Sequence, residues 1–149
     1  MKPNLKRVGR ACIVSMIVCL TLFASTAIAE ASAEGYTPFG IRHVAGKTFP
    51  TGFLDHTTDG SGHTVTGESA LWESALPLCN WHIDFNFIDA GGQYYYVQGQ
   101  NNGGPCNVGG SISWTPPGGK FRARTGRVCA VLYRDLTVRV VMGCNSIHG

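Results

Sequence analysis

Between Trp81 and Phe87 the chain alternates strictly: Trp81, Ile83, Phe85 and Phe87 are apolar, and His82, Asp84 and Asn86 between them are polar. A period of two is the mark of a β-strand with one face buried. The residues on either side repeat the message. Ala90-Gly91-Gly92 reads as a turn, Tyr94, Tyr95, Tyr96 and Val97 favour a pleated surface, and Gly99 to Gly110 is a loop of mostly Gly and Asn. Ile112 and Trp114 make a short strand stopped by Pro116-Pro117-Gly118-Gly119, and Phe121 opens another. Val128 to Tyr133 and Thr137 to Met142 form a last hairpin about Arg134-Asp135-Leu136.

No helix of ordinary length is visible, so the predicted class is all-β: a small antiparallel barrel or sandwich of roughly six to eight short strands. From Glu34 to Gly67 the sequence is rich in Gly, Thr, His and Pro and reads as loops with one or two short strands. Ser69 to Leu76 fits a helical turn or a strand equally well, with Pro77 ending either.

The N-terminus sets the compartment. Lys2, Lys6, Arg7 and Arg10 precede an apolar stretch from Ala11 to Ala24, followed by Ala27, Ala29, Ala31 and Ala33 with small neighbours. That order is a cleavable secretory signal over residues 1–33, leaving one domain, 34–149, with no membrane span after cleavage. Cys12 and Cys19 leave with the signal, and Cys79, Cys106, Cys129 and Cys144 remain. An even number in an exported chain implies two disulfides. Three connectivities are open. The sequential one is favoured, because the midpoint of Cys79 and Cys106 falls beside Gly91-Gly92 and that of Cys129 and Cys144 beside Leu136, so that each bridge closes one hairpin.

The formal charge of +3 overstates the domain's basicity, since four of the cations stand in the signal. The mature domain is near neutral and no nucleic-acid partner is expected of it. Its charges are segregated, with Lys120, Arg122, Arg124, Arg127, Arg134 and Arg139 in the last third and most acids between Asp55 and Asp89.

Candidate chemistry is thin. Asp55, His56, Asp59 and His63 echo part of a calcium loop, but Thr57 and Thr66 stand where oxygen-rich ligands are needed, so a polar turn is the simpler reading and no metal is expected. His82 and Asp84 share a strand face and are the weak catalytic candidates, although same-face neighbours lie about 6.6–6.8 Å apart, too far for a direct bond without side-chain reach. There is no Gly-x-Ser-x-Gly and no phosphate-cradling glycine loop, so neither nucleophilic hydrolysis nor a nucleotide cofactor is expected. Recognition has better material: Tyr94, Tyr95, Tyr96 and Trp114 are rigid rings, and Arg122 and Arg124 project from one strand face.

The leading expectation is therefore a secreted, non-catalytic binding module: an inhibitor, a toxin-like or antimicrobial factor, or a surface-associated protein. Its partner would be an extracellular protein, a glycan or a hydrophobic small molecule. The alternative is a cofactor-independent enzyme, of cyclase or isomerase type, with a hydrophobic pocket inside a small barrel. A filled interior with an exposed aromatic patch favours the first; a roomy aromatic cavity favours the second.

Overall fold

A computed structural model describes residues 33–100 and 105–149. The export signal expected over residues 1–33, all but Ala33, and the middle of the Gly/Asn loop lie outside the described residues. Among the described residues nine strands form: β1 (Ala33–Val44), β2 (Lys47–Ser61), β3 (Thr64–Leu78), β4 (His82–Asp89), β5 (Tyr94–Gln100), β6 (Asn107–Trp114), β7 (Phe121–Arg122), β8 (Gly126–Arg134) and β9 (Val138–Ile147). They make two antiparallel sheets. The first has the order β1-β2-β3-β6, with β7 paired to the far end of β3, and the second has the order β5-β4-β8-β9. The all-β expectation holds, and of its two forms the sheets take the open, two-layered one rather than a closed barrel.

The first third departs most from the sequence reading. Instead of loops with one or two short strands, it forms the three longest strands among the described residues, of 12, 15 and 15 residues. The reason lies in what they bury. From Thr51 to Thr58 exposure alternates residue by residue, but the inward set is Gly52, Leu54, His56 and Thr58, largely not apolar. A hydrophobic period of two cannot be read from such a set even though the pleat is regular. Ser69 to Leu76, ambiguous in sequence, is strand, with Ala70 and Trp72 turned inward. Pro77 falls where the pairing of β3 with β6 slips between Glu73 and Leu78, so its missing N–H breaks no ladder.

One core joins the two inner faces. Leu54, Ala70, Trp72, Ile112 and Trp114 of the first sheet meet Ile83, Phe85, Phe87, Val128, Ala130 and Leu132 of the second. Phe87 is its aromatic centre, lying edge-on to Tyr96 at 5.6 Å, Trp114 at 5.9 Å and Phe121 at 5.0 Å. Trp72 and Trp81 cross at 5.3 Å. Gly110, read from sequence as loop, lies on β6 directly against them: a Cβ there would stand 2.5 Å from Trp81 Cζ2.

Inside this apolar layer sits a polar cluster. The side chains of His56 and Glu68 are fully buried, with His56 Nε2 and Glu68 Oε2 2.8 Å apart. Thr58 Oγ1 donates to the same carboxylate oxygen at 2.9 Å. From the second sheet, Asn145 Nδ2 donates to the carbonyls of Ala33 and His56 and to Thr58 Oγ1 at 2.9–3.1 Å. Gly35 makes room for this amide, since a Cβ there would come within 2.8 Å of Asn145 Oδ1. Burial raises the Glu68 pKa above its ordinary value, because desolvation outweighs the hydrogen bonds and charge of His56 and the bond from Thr58.

Both disulfides follow the favoured pairing, Cys79–Cys106 and Cys129–Cys144. The first stands next to the Leu78–Asn107 pair of β3 and β6, where the chain leaves for β4 and comes back from β5; the second links residues directly opposite on β8 and β9. By closing loops of 27 and 15 residues, each contributes about 3–4 kcal/mol in a chain-entropy account. At one end, the β8–β9 turn donates from Asp135 N and Leu136 N to the carbonyls of Cys79 and Asn80.

Two changes at Glu68 test the buried cluster. Glu68→Ala leaves His56 and Thr58 without their acceptor and should cost about 3–5 kcal/mol in urea unfolding. The folded state binds the Glu68 proton more tightly than the unfolded chain does. Wild-type stability should therefore fall as pH rises from about 4.3 through the raised folded value. Glu68→Gln should lack that slope, measured as unfolding midpoint against pH.

Candidate functional site

The outward face of the first sheet is built by the other half of each strand's alternation. Tyr36 on β1 pairs with Asp55 on β2, which pairs with Leu71 on β3 and, through it, Ser111 on β6. The next row is Pro38, Phe53, Glu73 and Gly109, and the row on the other side is Glu34, Thr57, Ser69 and Ser113. Tyr36 and Phe53, diagonal neighbours, stack at 4.8 Å with their planes 23° apart. Tyr36 is 65% exposed and Leu71 45%. Large apolar side chains held open on a flat sheet are the kind of surface that marks recognition.

Three hollows run along this face. A small socket of about 110 Å³ is lined by Tyr36, Phe53, Asp55, Leu71 and Glu73. It shares Phe53 and Glu73 with a groove of about 530 Å³ that continues past Pro50 and Val108. On its other side it shares Asp55 and Leu71 with a groove of about 290 Å³ edged by the hydroxyls of Thr57, Ser69, Ser111 and Ser113. Asp55 Oδ1 is buried and, among the described residues, has no hydrogen-bond partner. Among the described residues, the outward positions of these three rows carry Glu34, Asp55 and Glu73 and no Lys or Arg.

The residues singled out from sequence lie elsewhere. His82 and Asp84 stand on the outward face of the second sheet, where the His82 ring stacks on Tyr133 at 4.7 Å and its Nε2 is 3.9 Å from Asp84 Oδ2, beyond hydrogen-bond reach. Desolvation raises the Asp84 pKa, with the charge of His82 opposing it, and raises that of Tyr133, with the Asp84 charge adding to the effect. Strand spacing had set this separation, and the fold does not close it. The pair faces outward, not into an enclosed pocket.

Tyr94 is 58% exposed, but Tyr95 and Tyr96, although adjacent in sequence, both pack against the core. The pairing of β4 with β5 shifts between Phe87 and Ile88, leaving Tyr95 as an extra residue, and both rings pack against Phe87. Trp114 is buried in the core and offers a ligand no surface. Arg122 is exposed at the end of the two-residue β7. Arg124 lies beyond that strand, its guanidinium 4.7 Å over the Tyr95 ring and 3.8 Å from Asp89. Lys120, Arg122 and Arg124 thus do not share one continuous strand face. Asp55 and His56 point to opposite sides of β2, so the partial calcium-loop echo gathers no ligand set. Among the described residues no group of three His, Cys, Asp or Glu is placed to hold a metal.

Tyr36, Phe53, Leu71 and Glu73 were missed because they come from three strands that the sequence does not announce. The one available signal was Phe53-x-Asp55-x-Thr57, an outward alternation running opposite to Leu54-x-His56-x-Thr58. Neither a family model, nor a curated protein, nor a solved structure matches the chain. The description that stands is the architectural one: a disulfide-stapled two-sheet β domain with an aromatic and acidic outer face.

Because Tyr36 touches the core nowhere and lies open, Tyr36→Ala should shift stability by no more than about 0.5 kcal/mol in chemical denaturation. A much larger loss would mean that the ring is structural.

Proposed function

We propose that the protein is a secreted, non-catalytic binding module that engages its partner through the outward face of its first sheet. The observation that carries this reading is the division of its aromatic residues. Those between the sheets fill the interior around Phe87, while Tyr36 and Phe53 are stacked and held at the surface beside two carboxylates. Rigid rings on a braced sheet supply contact area at little entropic cost. Two disulfides in a small domain suit an oxidising, extracellular setting, and no helix among the described residues is long and apolar enough to cross a membrane.

The enzymatic alternative, a cyclase or isomerase with its substrate between the sheets, asks for space that Trp72, Phe85, Phe87 and Leu132 occupy. Tyr94 is exposed on β5, but Arg124 already has partners in the Tyr95 ring and Asp89.

The test is a nuclear magnetic resonance titration of the oxidised protein with a panel of soluble oligosaccharides, short peptides of differing charge and hydrophobic small molecules. Shifts confined to Tyr36, Phe53, Leu71 and their neighbours are the expected result. Shifts gathered instead at Arg122 and Arg124, or at His82, would overturn the assignment of the face.

A further inference from the structure

Resting on that reading, we infer that the socket between Tyr36, Phe53, Asp55, Leu71 and Glu73 receives a basic side chain, an arginine, presented by an extended segment of a protein partner. Size sets the first limit. At about 110 Å³ the socket is on the scale of one long side chain. The longer grooves that open from its two ends, of about 530 and 290 Å³, leave room for the backbone on either side of that residue.

Chemistry sets the second limit. The walls are two stacked rings and a leucine, apolar enough to hold an aliphatic stem. Asp55 and Glu73 stand on diagonal positions of adjacent strands, about 7–8 Å apart along the backbone. A guanidinium between them can donate to both carboxylates while its flat face lies on an aromatic ring, a combination a compact ammonium matches less well.

The half-buried Asp55 carboxylate lines the socket, and among the described residues no donor meets its Oδ1, so a turn of the carboxylate toward the socket leaves that oxygen free to accept from an incoming N–H. The field agrees: the nearest outward row adds Glu34, and among the described residues no cation on these rows neutralises the acids. An anionic ligand is repelled, and a neutral one leaves Asp55 Oδ1 unpaired. At the edges of the adjoining groove, the hydroxyls of Thr57, Ser69, Ser111 and Ser113 both donate and accept, which suits the backbone of a bound segment.

The experiment uses end-blocked pentapeptides, with arginine, norleucine or glutamate at the centre of an otherwise identical glycine and serine sequence, titrated into the oxidised protein and followed by nuclear magnetic resonance. The arginine peptide should shift Tyr36, Asp55, Leu71 and Glu73. The norleucine peptide should bind about tenfold or more weakly and the glutamate peptide not measurably. In the double variant Asp55→Asn, Glu73→Gln, with an unfolding midpoint like that of the wild type, the arginine peptide should lose a similar factor, and Tyr36→Ala should weaken it independently. If norleucine binds as tightly as arginine, or the double variant binds arginine unchanged, the cation assignment is overturned while the face remains a binding surface. If neither these peptides nor the wider panel touches the face, both readings fall.

Discussion

The contact on which most of this structure turns is the one between Glu68 and His56, a carboxylate and an imidazole 2.8 Å apart with no exposed side-chain surface. It places charge-bearing groups where a small β domain ordinarily keeps methyls. A buried pair of this kind is costly to desolvate and tolerable only when its remaining valences are met locally. Thr58 meets one of them, and Asn145 draws the second sheet in by bonding to Thr58 and to the backbone carbonyls of Ala33 and His56. The cluster therefore ties β1, β2, β3 and β9 together through directional bonds. Apolar packing alone would leave the relative position of the sheets less sharply specified. Not every valence is met, since among the described residues His56 Nδ1 and Glu68 Oε1 have no partner.

That arrangement also explains the outer face. Pleating sends alternate side chains to opposite sides, so a strand that keeps His56 and Thr58 inside must present Asp55 and Thr57 outside. The same holds for β3, where inward Glu68, Ala70 and Trp72 oblige outward Ser69, Leu71 and Glu73. The acidic, aromatic and hydroxyl-lined surface is thus the complement of a polar core, on long strands whose register that core holds. Gly35 and Gly110 leave the space that Asn145 and the crossed tryptophans occupy, where a Cβ would collide with them.

Legibility followed chemistry. The β4 strand was plain in the sequence because its inward residues are Ile83, Phe85 and Phe87, and the last hairpin because Val128 to Leu132 is an apolar run. Both cysteine pairs were placed by where the turns fall. The first three strands were not legible, because a polar interior erases the hydrophobic alternation by which strands are recognised. The triple tyrosine misled for a different reason: one extra residue at the β4–β5 bulge turns Tyr95 to the same side as Tyr96, and nothing local marks it.

The sequence by itself determined that this is an all-β chain, punctuated by Gly and Pro, with four cysteines whose spacing about the turns favours sequential pairing, because those properties depend on residues near one another along the chain. Only the tertiary structure decided that the sheets stay open and face each other. It alone decided that Trp114 lies inside, that His82 and Asp84 stand apart on an outer face, and that Tyr36, Phe53, Asp55, Leu71 and Glu73 meet. Those five residues come from three strands, and their neighbourhood is created by register, which a polar core sets and local sequence does not encode.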